Sequence, residues 1–310
     1  MFSVIFPGQG SQSVGMGREF YEKYSVVKDL FSRANETLGF DITKIILEGP
    51  IEKINLTENT QPAIFIVSFS IYSVISKEFN IDLTKGKYFA GHSLGEYSAL
   101  TCAGALKFED TIKLLNERGK SMQSAVPLGE GGMLAILGQT INEIENIILS
   151  NNDFKSNCQI ANDNSPGQVV VSGKLKIIKN LQEILKSQKI KSVILPVSAP
   201  FHSFMMKKAT EIMTPLINSN DFNKPRPKII SNVTSEEADD AQQLKSLLIK
   251  QIESRVRWRE SINYMVKNNV SKFIEIGPGK VLCGLLKRID KNLKAVSINS
   301  IEDIKQIGDL

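Results

Sequence analysis

The chain has 310 residues, of which 42% are hydrophobic and 23% are charged, with a formal net charge of +5. This balance is that of a soluble globular protein with a large core, and the length fits one large domain or a large domain with a smaller companion. Lysine and arginine are spread along the chain without long runs, which argues against nucleic acid as a partner, whereas a mildly basic surface suits an acidic partner.

The cysteine content and the apolar stretches predict the compartment. The three cysteines are Cys102, Cys158 and Cys283. Because they are far apart and odd in number, they predict reduced, buried thiols and not a disulfide framework. The first residues read as an apolar strand without a basic leader or a cleavage site. The most apolar stretch, 63–75, is too short to span a bilayer. We therefore expect a cytoplasmic protein with no membrane partner.

The first predicted strand, Phe2–Phe6, runs into a glycine-rich loop at 7–12, Pro-Gly-Gln-Gly-Ser-Gln. The glycine spacing fits neither the dinucleotide fingerprint nor the phosphate-binding P-loop. We expect a loop whose amides approach a ligand at the carboxyl end of a strand, where open α/β sheets bind their ligands. Helical patterns follow over 18–38 and 62–79, the second with a proline near its predicted start.

The stretch 88–97, Tyr-Phe-Ala-Gly-His-Ser-Leu-Gly-Glu-Tyr, joins a predicted strand to a predicted helix over 95–103. An apolar run that ends in Gly-x-Ser-x-Gly before a helix is the sequence form of a nucleophile elbow, here with Ser93 at the apex. We expect a strained backbone at Ser93 and small neighbours that let strand and helix approach closely. Helix amides at this turn favour a developing oxyanion.

The pattern changes between residues 127 and 196, where strands and helices alternate in the order βαββαβ. The predicted strands are 133–137, 158–161, 168–172 and 192–195, and the predicted helices are 141–148 and 175–185. This order is typical of a ferredoxin-like subdomain. Since both ends of the block join the remaining chain, we predict an insertion, 127–196, within a large domain made of 1–126 and 197–310.

The remaining chain alternates further strands and helices. The predicted strands are 228–231, 272–276 and 295–298, and the predicted helices include 241–251 and 259–267. Together with the first half of the chain, this alternation predicts an α/β fold with a mainly parallel sheet covered by helices on both faces.

His92 and His202 are the two histidines of the chain. No Cys-x-x-Cys or His-Glu-x-x-His pattern supplies further metal ligands, so we expect no metal site. A serine nucleophile needs a base to accept its proton. We favour His202, on a loop before a helix, as that base, and His92 as a packing or loop-ordering residue. No acidic residue stands in a motif that would orient His202, and the oxyanion glycine motif of the α/β-hydrolases is missing.

Arg118 lies on a predicted helix over 109–123. A buried guanidinium can bind a carboxylate through two parallel hydrogen bonds, so it would select an acyl group that carries a free carboxylate of its own. The other interpretation is a solvated or ion-paired arginine on the outer face of an amphipathic helix.

Four motifs occur in one order along the chain: Phe-Pro-Gly-Gln-Gly-Ser-Gln at 6–12, Gly-His-Ser-Leu-Gly-Glu at 91–96, Glu-Arg-Gly at 117–119 and Pro-Phe-His-Ser at 200–203. In this combination the chain resembles the malonyl-CoA:acyl carrier protein transacylase family of acyltransferases, from the first strand to about Gly279. The resemblance implies a hydrolase-like α/β domain with an inserted ferredoxin-like subdomain, in agreement with the order of the elements.

The resemblance also implies a role for each matching residue. Ser93 would be the nucleophile that carries the acyl ester, and His202 its general base and then general acid. Arg118 would pair with the malonyl carboxylate. The other implied positions are the amides of Gln9 and Leu94 in the oxyanion hole, the main-chain carbonyl of Gln251 as the group that orients the histidine, and Gln61, Asn162 and Phe201 along the substrate cleft. The phenylalanine resembles the malonyl-selective form of its loop and not the methylmalonyl form.

The implied reaction carries a malonyl group from malonyl-CoA to the serine and then to the phosphopantetheine thiol of acyl carrier protein, in fatty acid biosynthesis. Malonyl-CoA is a substrate, the phosphopantetheine belongs to the acceptor, and no permanently bound cofactor is implied. The carrier protein would be an acidic, transient partner. We expect ping-pong kinetics and a monomer.

Two other functions are compatible with the residues. A serine hydrolase or thioesterase would use the same Ser93–His202 pair and would pass the acyl group to water. It differs from a transferase in whether the acyl-enzyme excludes water. A non-catalytic binding module would keep the fold alone, and the joint presence of Ser93, His202 and Arg118 argues against it.

Overall fold

The computed structural model describes residues 1–197 and 199–309; Ser198 and Leu310, both inside the predicted large domain, lie outside the described residues. The β-strands in chain order are β1 (Phe2–Phe6), β2 (Tyr88–Gly91), β3 (Gly131–Leu137), β4 (Cys158–Ser165), β5 (Gln168–Lys174), β6 (Lys191–Ile194), β7 (Lys228–Ile230), β8 (Glu237–Ala238), β9 (Lys272–Ile276) and β10 (Lys294–Ile298).

The α-helices fill most of the sequence between these strands. In chain order they are α1 (Arg18–Lys23), α2 (Ser25–Leu38), α3 (Ile42–Glu48), α4 (Ile51–Ile54), α5 (Thr57–Glu78), α6 (Gly95–Cys102), α7 (Phe108–Ser124), α8 (Ile141–Leu149), α9 (Asn152–Asn157), α10 (Leu175–Ser187), α11 (Lys207–Ser219), α12 (Ala241–Gln251), α13 (Trp258–Lys267) and α14 (Val281–Ile289). Short 3-10 helices cover Leu83–Lys85, Phe204–Met206 and Glu302–Asp309.

The larger sheet has the strand order β10-β9-β1-β2-β7-β8. Its strands run parallel, apart from β8, which pairs antiparallel with β7. On β1, Val4 and Phe6 belong to one apolar cluster and Ile5 to another. Because successive side chains of a strand point to opposite faces, the two clusters lie on the two faces of the sheet. The predicted α/β fold class with a mainly parallel sheet is confirmed.

The smaller sheet has the strand order β4-β5-β3-β6 and is antiparallel throughout. Its elements follow one another as β3, α8, α9, β4, β5, α10 and β6, which is the predicted βαββαβ order with one added short helix. Leu134 and Ile136 of β3 pack with Ile144 of α8 and Leu181 of α10. Met133 belongs instead to the main core of the larger sheet. Helices therefore cover one face of the small sheet, and the large core covers part of the other.

Polar contacts join β4 of the small sheet to the start of α13. The main chains of Asp163 and Val256 are hydrogen-bonded at 3.0 Å. The carboxylate of Asp163 is 1% exposed and lies 2.8 Å from Nη2 of Arg259. A buried carboxylate requires such a cation, because desolvation of an unpaired charge is costly. The predicted domain limits, 1–126, 127–196 and 197–310, stay a prediction.

The three cysteines are buried free thiols, as the sequence predicts. Burial raises the pKa of each thiol above its ordinary value. No helix in the described ranges combines the length and the apolarity that crossing a membrane requires. The cytoplasmic location stays a prediction.

The helical pattern predicted over 18–38 is confirmed and forms two helices, α1 and α2. Tyr24 adopts an extended backbone, with φ −112° and ψ 125°, which ends α1 and begins α2. The sequence predicts none of α3, α4, α9 and β8. Each of these is too short for a period of 3.6 or 2 residues to be recognised.

The helix α5 continues through Pro62, although the sequence predicts that the helix starts there. Proline has no N–H, so the carbonyl four residues earlier, that of Glu58, loses its helical donor. In the structure, Nδ2 of Asn116 on α7 donates a hydrogen bond to this carbonyl at 3.0 Å. The neighbouring helix thus satisfies the carbonyl, and α5 begins at Thr57.

The turn from β2 into α6 has no room for a side chain at two glycines. A Cβ atom on Gly91 would lie 1.9 Å from the carbonyl carbon of Gly95. A Cβ atom on Gly95 would lie 2.3 Å from the carbonyl oxygen of Phe6. Since these neighbours are backbone atoms of buried elements, they cannot move aside. The prediction that small residues let strand and helix approach is confirmed.

We predict that Gly91→Ala destabilises the protein by about 3 kcal/mol or more, because the added methyl group overlaps fixed backbone. Urea unfolding measures this change. Gly284→Ala is the matched control, since an exposed Cβ on α14 meets nothing within 4 Å. This control should gain roughly 0.5 to 1 kcal/mol from helix propensity. An unfolding midpoint of Gly91→Ala equal to that of the unchanged protein would contradict the steric argument.

Candidate active site

Ser93 lies at the turn between β2 and α6 and has a φ of 53°. A residue with a Cβ atom rarely adopts this left-handed conformation, so the turn must be held by its surroundings. The amide of Ser93 donates to Oδ1 of Asn232 at 2.8 Å, and Nδ2 of Asn232 donates to the carbonyl of Gly91 at 2.8 Å. One asparagine side chain therefore bridges the two sides of the turn.

His202 lies on the loop that follows the small sheet and is 4% exposed. Its Nε2 atom is 2.8 Å from Oγ of Ser93, and its Nδ1 atom is 2.9 Å from the main-chain oxygen of Gln251. A carbonyl oxygen only accepts hydrogen bonds, so Nδ1 carries the proton. The lone pair of Nε2 then faces the serine hydroxyl. The arrangement is that of a nucleophile hydrogen-bonded to a neutral base.

The histidine loop is held by a side chain of the small sheet. His202 has a positive φ of 56°. Nε2 of Gln159, on β4, donates to the carbonyls of His202 at 3.3 Å and Glu253 at 3.1 Å. Its Oε1 atom accepts from the amide of Phe204 at 3.0 Å. Gln159 thus holds the backbone on the carboxyl side of the strained residue and joins it to the main chain at Glu253.

The pKa of His202 is lowered to about 3, mainly by burial and then by the nearby charge of Arg118, against the raising effect of the hydrogen bond to the carbonyl of Gln251. An imidazole with such a pKa is unprotonated at neutral pH. His202 is therefore present as the free base, the form that can accept the proton of Ser93.

Arg118 of α7 is 1% exposed, so the interpretation of a solvated surface arginine is wrong. Its Nη2 atom donates to Oγ of Ser93 at 3.2 Å and to Oε1 of Gln251 at 2.9 Å, and its Nη1 atom donates to Oε1 of Gln61 at 2.8 Å. Burial lowers the pKa of the guanidinium, against the raising effects of the nearby Tyr97 and Glu96 side chains. Arginine nevertheless stays charged in proteins.

The Arg118 charge faces neutral partners, which leaves it able to bind an anion. Its Nε atom is buried without a hydrogen-bond partner among the described residues. The helix is fixed in place because Gly119 touches the start of α5, where a Cβ atom would lie 2.5 Å from Cα of Glu58. A guanidinium so placed beside a nucleophile suits a substrate that carries a carboxylate.

The side chains around Ser93 enclose a cavity of about 110 Å³. Its lining residues are Gln9, Gln61, His92, Ser93, Leu94, Arg118, Met122, Met133, Asn162, Leu195, Val197, Phe201 and His202. Larger surface clefts, of about 730, 470, 420 and 330 Å³, are lined by no histidine among the described residues. The smaller cavity is therefore the one with a nucleophile and its base.

The structure brings every residue of the predicted site to this cavity or to its wall. Gln9 of the first loop and Leu94 at the start of α6 line it together. Asn162 on β4 and Phe201 on the histidine loop are buried on its other side. Gln251 stands behind it, in contact with both the base and the guanidinium.

His92 lines the cavity but makes its polar contact with β4 and not with Ser93, as expected of a packing or loop-ordering residue. Its Nε2 atom is 2.8 Å from Oδ1 of Asn164, and its ring lies 5.7 Å from that of Trp258. Burial lowers its pKa, against the raising effect of the hydrogen bond to Asn164. Its contacts are those of a packing residue that orders β4 against the elbow.

Asn232 and Glu96 are two residues of the site that the sequence does not predict. Asn232 stands in no motif, and no spacing connects it with the elbow. Glu96 belongs to the elbow motif and follows Ser93 by one helical turn, a spacing that places it on the same side of α6. It is 1% exposed and accepts hydrogen bonds from the amide of Asn232 at 3.0 Å and from Nε2 of Gln251 at 2.7 Å.

Among the described residues, no group of three histidine, cysteine, aspartate or glutamate side chains is placed to hold a metal ion. The chemistry available at the cavity is that of a hydroxyl, an imidazole, a guanidinium and main-chain amides.

Comparison with known proteins places the chain in a family. The acyl transferase domain family matches residues 3–307. Malonyl CoA-acyl carrier protein transacylase of Bacillus subtilis (strain 168) is 41% identical over 304 residues, which cover 98% of this chain and 95% of the relative.

Solved structures agree with this match. The acyl-carrier-protein-S-malonyltransferase from Bartonella henselae has a TM-score of 0.95 and 39% identity, covering 99% of this chain and 98% of that chain. A chain from the structure of a type II PKS acyl-carrier protein in complex with its malonyl-transacylase has a TM-score of 0.93 and 34% identity. The match covers 98% of this chain and 98% of that chain. The chain belongs to the acyl transferase family.

Proposed function

We propose that this acyltransferase moves a malonyl group from malonyl-CoA to the phosphopantetheine thiol of an acyl carrier protein, through a malonyl ester on Ser93, and so supplies fatty acid biosynthesis. One observation carries the proposal. Oγ of Ser93 lies within hydrogen-bond distance of both Nε2 of His202, at 2.8 Å, and Nη2 of Arg118, at 3.2 Å. A nucleophile, its base and a buried cation thus share one cavity.

In the first half-reaction, Ser93 Oγ attacks the thioester carbonyl while its proton passes to Nε2 of His202. The carbonyl oxygen becomes an oxyanion, for which we assign the amides of Gln9 and Leu94 as donors. Preorganised donors of this kind lower the barrier because they need no reorientation as charge develops. The C–S bond then breaks, the CoA thiolate takes the proton from His202, and CoA leaves as the thiol.

The guanidinium of Arg118 selects the acyl group. In the empty cavity it donates to the Ser93 hydroxyl and to two neutral amides. A malonyl carboxylate offers a negative partner in place of these neutral ones, and a bidentate pair with it orients the thioester carbonyl towards the serine. We assign Gln61 to hold the guanidinium, and Asn162 and Phe201 to line the path of the substrate.

In the second half-reaction, the phosphopantetheine thiol gives its proton to His202 and attacks the ester carbonyl. The C–O bond breaks, and Ser93 regains its proton from the imidazole. Since each half-reaction releases one product before the next substrate reacts, the kinetics should be ping-pong. The main-chain oxygen of Gln251 keeps the imidazole in the required tautomer, so a Ser–His pair acts without an acidic third member.

The acceptor is a carrier protein and not water. The relatives named above are transacylases and malonyltransferases, and one was solved with an acyl-carrier protein. A hydrolase or thioesterase that uses the same pair is therefore not favoured. The net charge of +5 suits a transient complex with an acidic carrier. That the protein is a monomer stays a prediction.

We predict that mixing the protein with malonyl-CoA, without a carrier, releases one equivalent of CoA and leaves a malonyl group on Ser93. The ester should persist because its acceptor is absent. Intact-protein and peptide mass spectrometry would detect it, with Ser93→Ala as the control. Continuous CoA release in the absence of a carrier would instead indicate the hydrolase.

We predict that Arg118→Ala lowers kcat/KM for malonyl transfer roughly 100-fold, since about 3 kcal/mol of charge-assisted hydrogen bonding is lost. Acetyl transfer should change by less than about fivefold, because an acetyl group has no carboxylate for the guanidinium to bind. Both rates are measured with the same carrier protein, and circular dichroism checks the fold. Equal losses of kcat/KM for the two acyl groups would contradict the role of Arg118 in selecting the acyl group.

We predict that neutral His202 makes the protein less stable at acidic pH. Below its ordinary pKa of about 6.5 the histidine takes up a proton in the unfolded chain, whereas in the folded protein its pKa is about 3. Stability is therefore lost as the pH falls from about 6.5 towards 3. Between pH 8 and pH 5 the loss should be about 2 kcal/mol for this residue.

The control for this prediction is His202→Gln, which does not titrate. Urea unfolding of both proteins at pH 8 and pH 5 isolates the contribution of His202, because His92 titrates in both and cancels. Relative to His202→Gln, the unchanged protein should have a lower free energy of unfolding at pH 5 than at pH 8. The same difference at both pH values would show that the folded imidazole is not held neutral.

A further inference from the structure

The carboxyl group of Glu96 is buried with little to compensate its charge. The residue is 1% exposed, and the two partners recorded for its carboxylate are neutral N–H groups. Both donate to Oε2, while Oε1 has no hydrogen-bond partner among the described residues. Burial raises the pKa of this carboxyl to about 7, against the lowering effects of its two hydrogen bonds and of the charge of Arg118. A buried carboxyl of this kind costs stability.

The first partner of Glu96 is the residue that holds the nucleophile. The amide of Asn232 donates to Oε2 of Glu96 at 3.0 Å. The side chain of the same asparagine accepts from the amide of Ser93 at 2.8 Å and donates to the carbonyl of Gly91 at 2.8 Å. The carboxylate thus fixes the backbone from which Asn232 reaches the strained turn.

The second partner is the residue behind the base and the guanidinium. Nε2 of Gln251 donates to Oε2 of Glu96 at 2.7 Å, the shortest of its contacts, which leaves Oε1 of Gln251 directed at Nη2 of Arg118 at 2.9 Å. A flipped amide would set its NH2 group against the guanidinium and its oxygen against the carboxylate. The main-chain oxygen of Gln251 meanwhile accepts from Nδ1 of His202 at 2.9 Å.

We propose that Glu96 is a positioning residue, whose carboxyl group holds Asn232 and Gln251 in the orientations that the nucleophile, the guanidinium and the base require. Oε2 accepts from both supports, and Nε2 of Gln251 also lies 3.2 Å from the carbonyl oxygen of Ser93 and 3.3 Å from Oδ1 of Asn232. Loss of the strongest acceptor in this network therefore disturbs all three reacting groups together. This role explains why a carboxyl group, whose burial lowers stability, occupies a position that an apolar side chain could fill at a lower cost in free energy. The group acts through hydrogen-bond acceptance and makes no contact with the substrate.

The test separates positioning from stability by exchanging the acceptor for apolar volume. Glu96→Met keeps the size of the side chain and removes both hydrogen bonds. The two buried donors then lose an acceptor, which lowers stability, while removal of a buried carboxyl offsets part of this loss. Glu96→Leu is a second variant with the same expectation. Glu96→Gln restores an oxygen that can accept from both donors. Unfolding in urea gives the folded fraction of each variant.

Two readouts are compared at equal folded fraction. The first is the rate at which a fluorophosphonate probe labels Ser93, which depends on the serine and its base. The second is kcat/KM for malonyl transfer, which depends on the guanidinium as well. We expect Glu96→Met to slow labelling about tenfold and to lower kcat/KM for malonyl transfer about 100-fold, the usual size of an ångström-scale misplacement. Acetyl transfer should fall with the labelling rate, since it needs no guanidinium. Glu96→Gln should return every rate to within about fivefold.

Glu275 provides the matched control. It is a fully buried carboxylate on β9 that accepts from the amides of Leu282 and Cys283 at 3.0 and 2.8 Å and has no contact with the cavity. Glu275→Met and Glu275→Gln should alter stability and leave both readouts of the folded protein unchanged. Glu96→Met behaving like Glu275→Met, or Glu96→Gln remaining as slow as Glu96→Met, would overturn the proposal.

The transfer readout rests on the proposed function, whereas the labelling readout does not. If the unchanged protein transfers no malonyl group, the proposed function fails. The labelling rates of the Glu96 and Glu275 variants would still decide whether Glu96 positions the nucleophile and its base.

Discussion

A positive charge buried beside a hydroxyl is the constraint on which the arrangement of this site depends. The guanidinium of Arg118 is removed from water, and its hydrogen-bond partners within the described part of the chain are neutral. The same charge helps to keep the imidazole of His202 unprotonated. It therefore does two things at once: it leaves the base free to accept a proton, and it leaves an anion-binding position open next to the nucleophile.

Such a charge is tolerable because a polar network surrounds it, in which each member holds the next. Gln61 and Gln251 present their carbonyl oxygens to the guanidinium, and Gln251 in turn is oriented by Glu96. In a low-dielectric interior these dipoles interact more strongly than they would in water, and an unpaired member would be expensive. The low dielectric therefore makes the network rigid, and it also makes each buried polar group in the network costly in free energy.

Much of the fold and of the site can be predicted from the sequence, and the reasons differ. The elbow can be recognised in the sequence because its turn requires glycine at 91 and 95. A Cβ atom at either position would lie within 2.5 Å of backbone atoms. This constraint acts at fixed positions of one short motif. The alternation of strands and helices is visible for a similar reason, since periodicity records burial along one element. The resemblance to a family adds Gln251, and it gives definite roles to Arg118 and to the amides of the first loop and the elbow, which local patterns mark only as candidates.

The rest depends on contacts between distant parts of the chain. Asn232 is one asparagine among many until β7 places it beside the elbow, and α5 passes through Pro62 only because Asn116 of another helix satisfies a carbonyl. The importance of Glu96 likewise follows from the two donors that tertiary packing brings to it. Hydrogen bonds of this kind leave no period and no spacing in the sequence, so they become visible only in three dimensions.

The hydroxyl and the imidazole are carried by different sheets. Ser93 rises from the parallel sheet, whereas the histidine loop is held by Gln159 of the antiparallel one. The ion pair between Asp163 and Arg259 is part of the joint between them. A proton can pass between oxygen and nitrogen only over a hydrogen-bond distance. A small displacement of one sheet relative to the other would therefore separate the hydroxyl from the imidazole, so contacts that include no reacting atom set the distance on which the proton transfer depends.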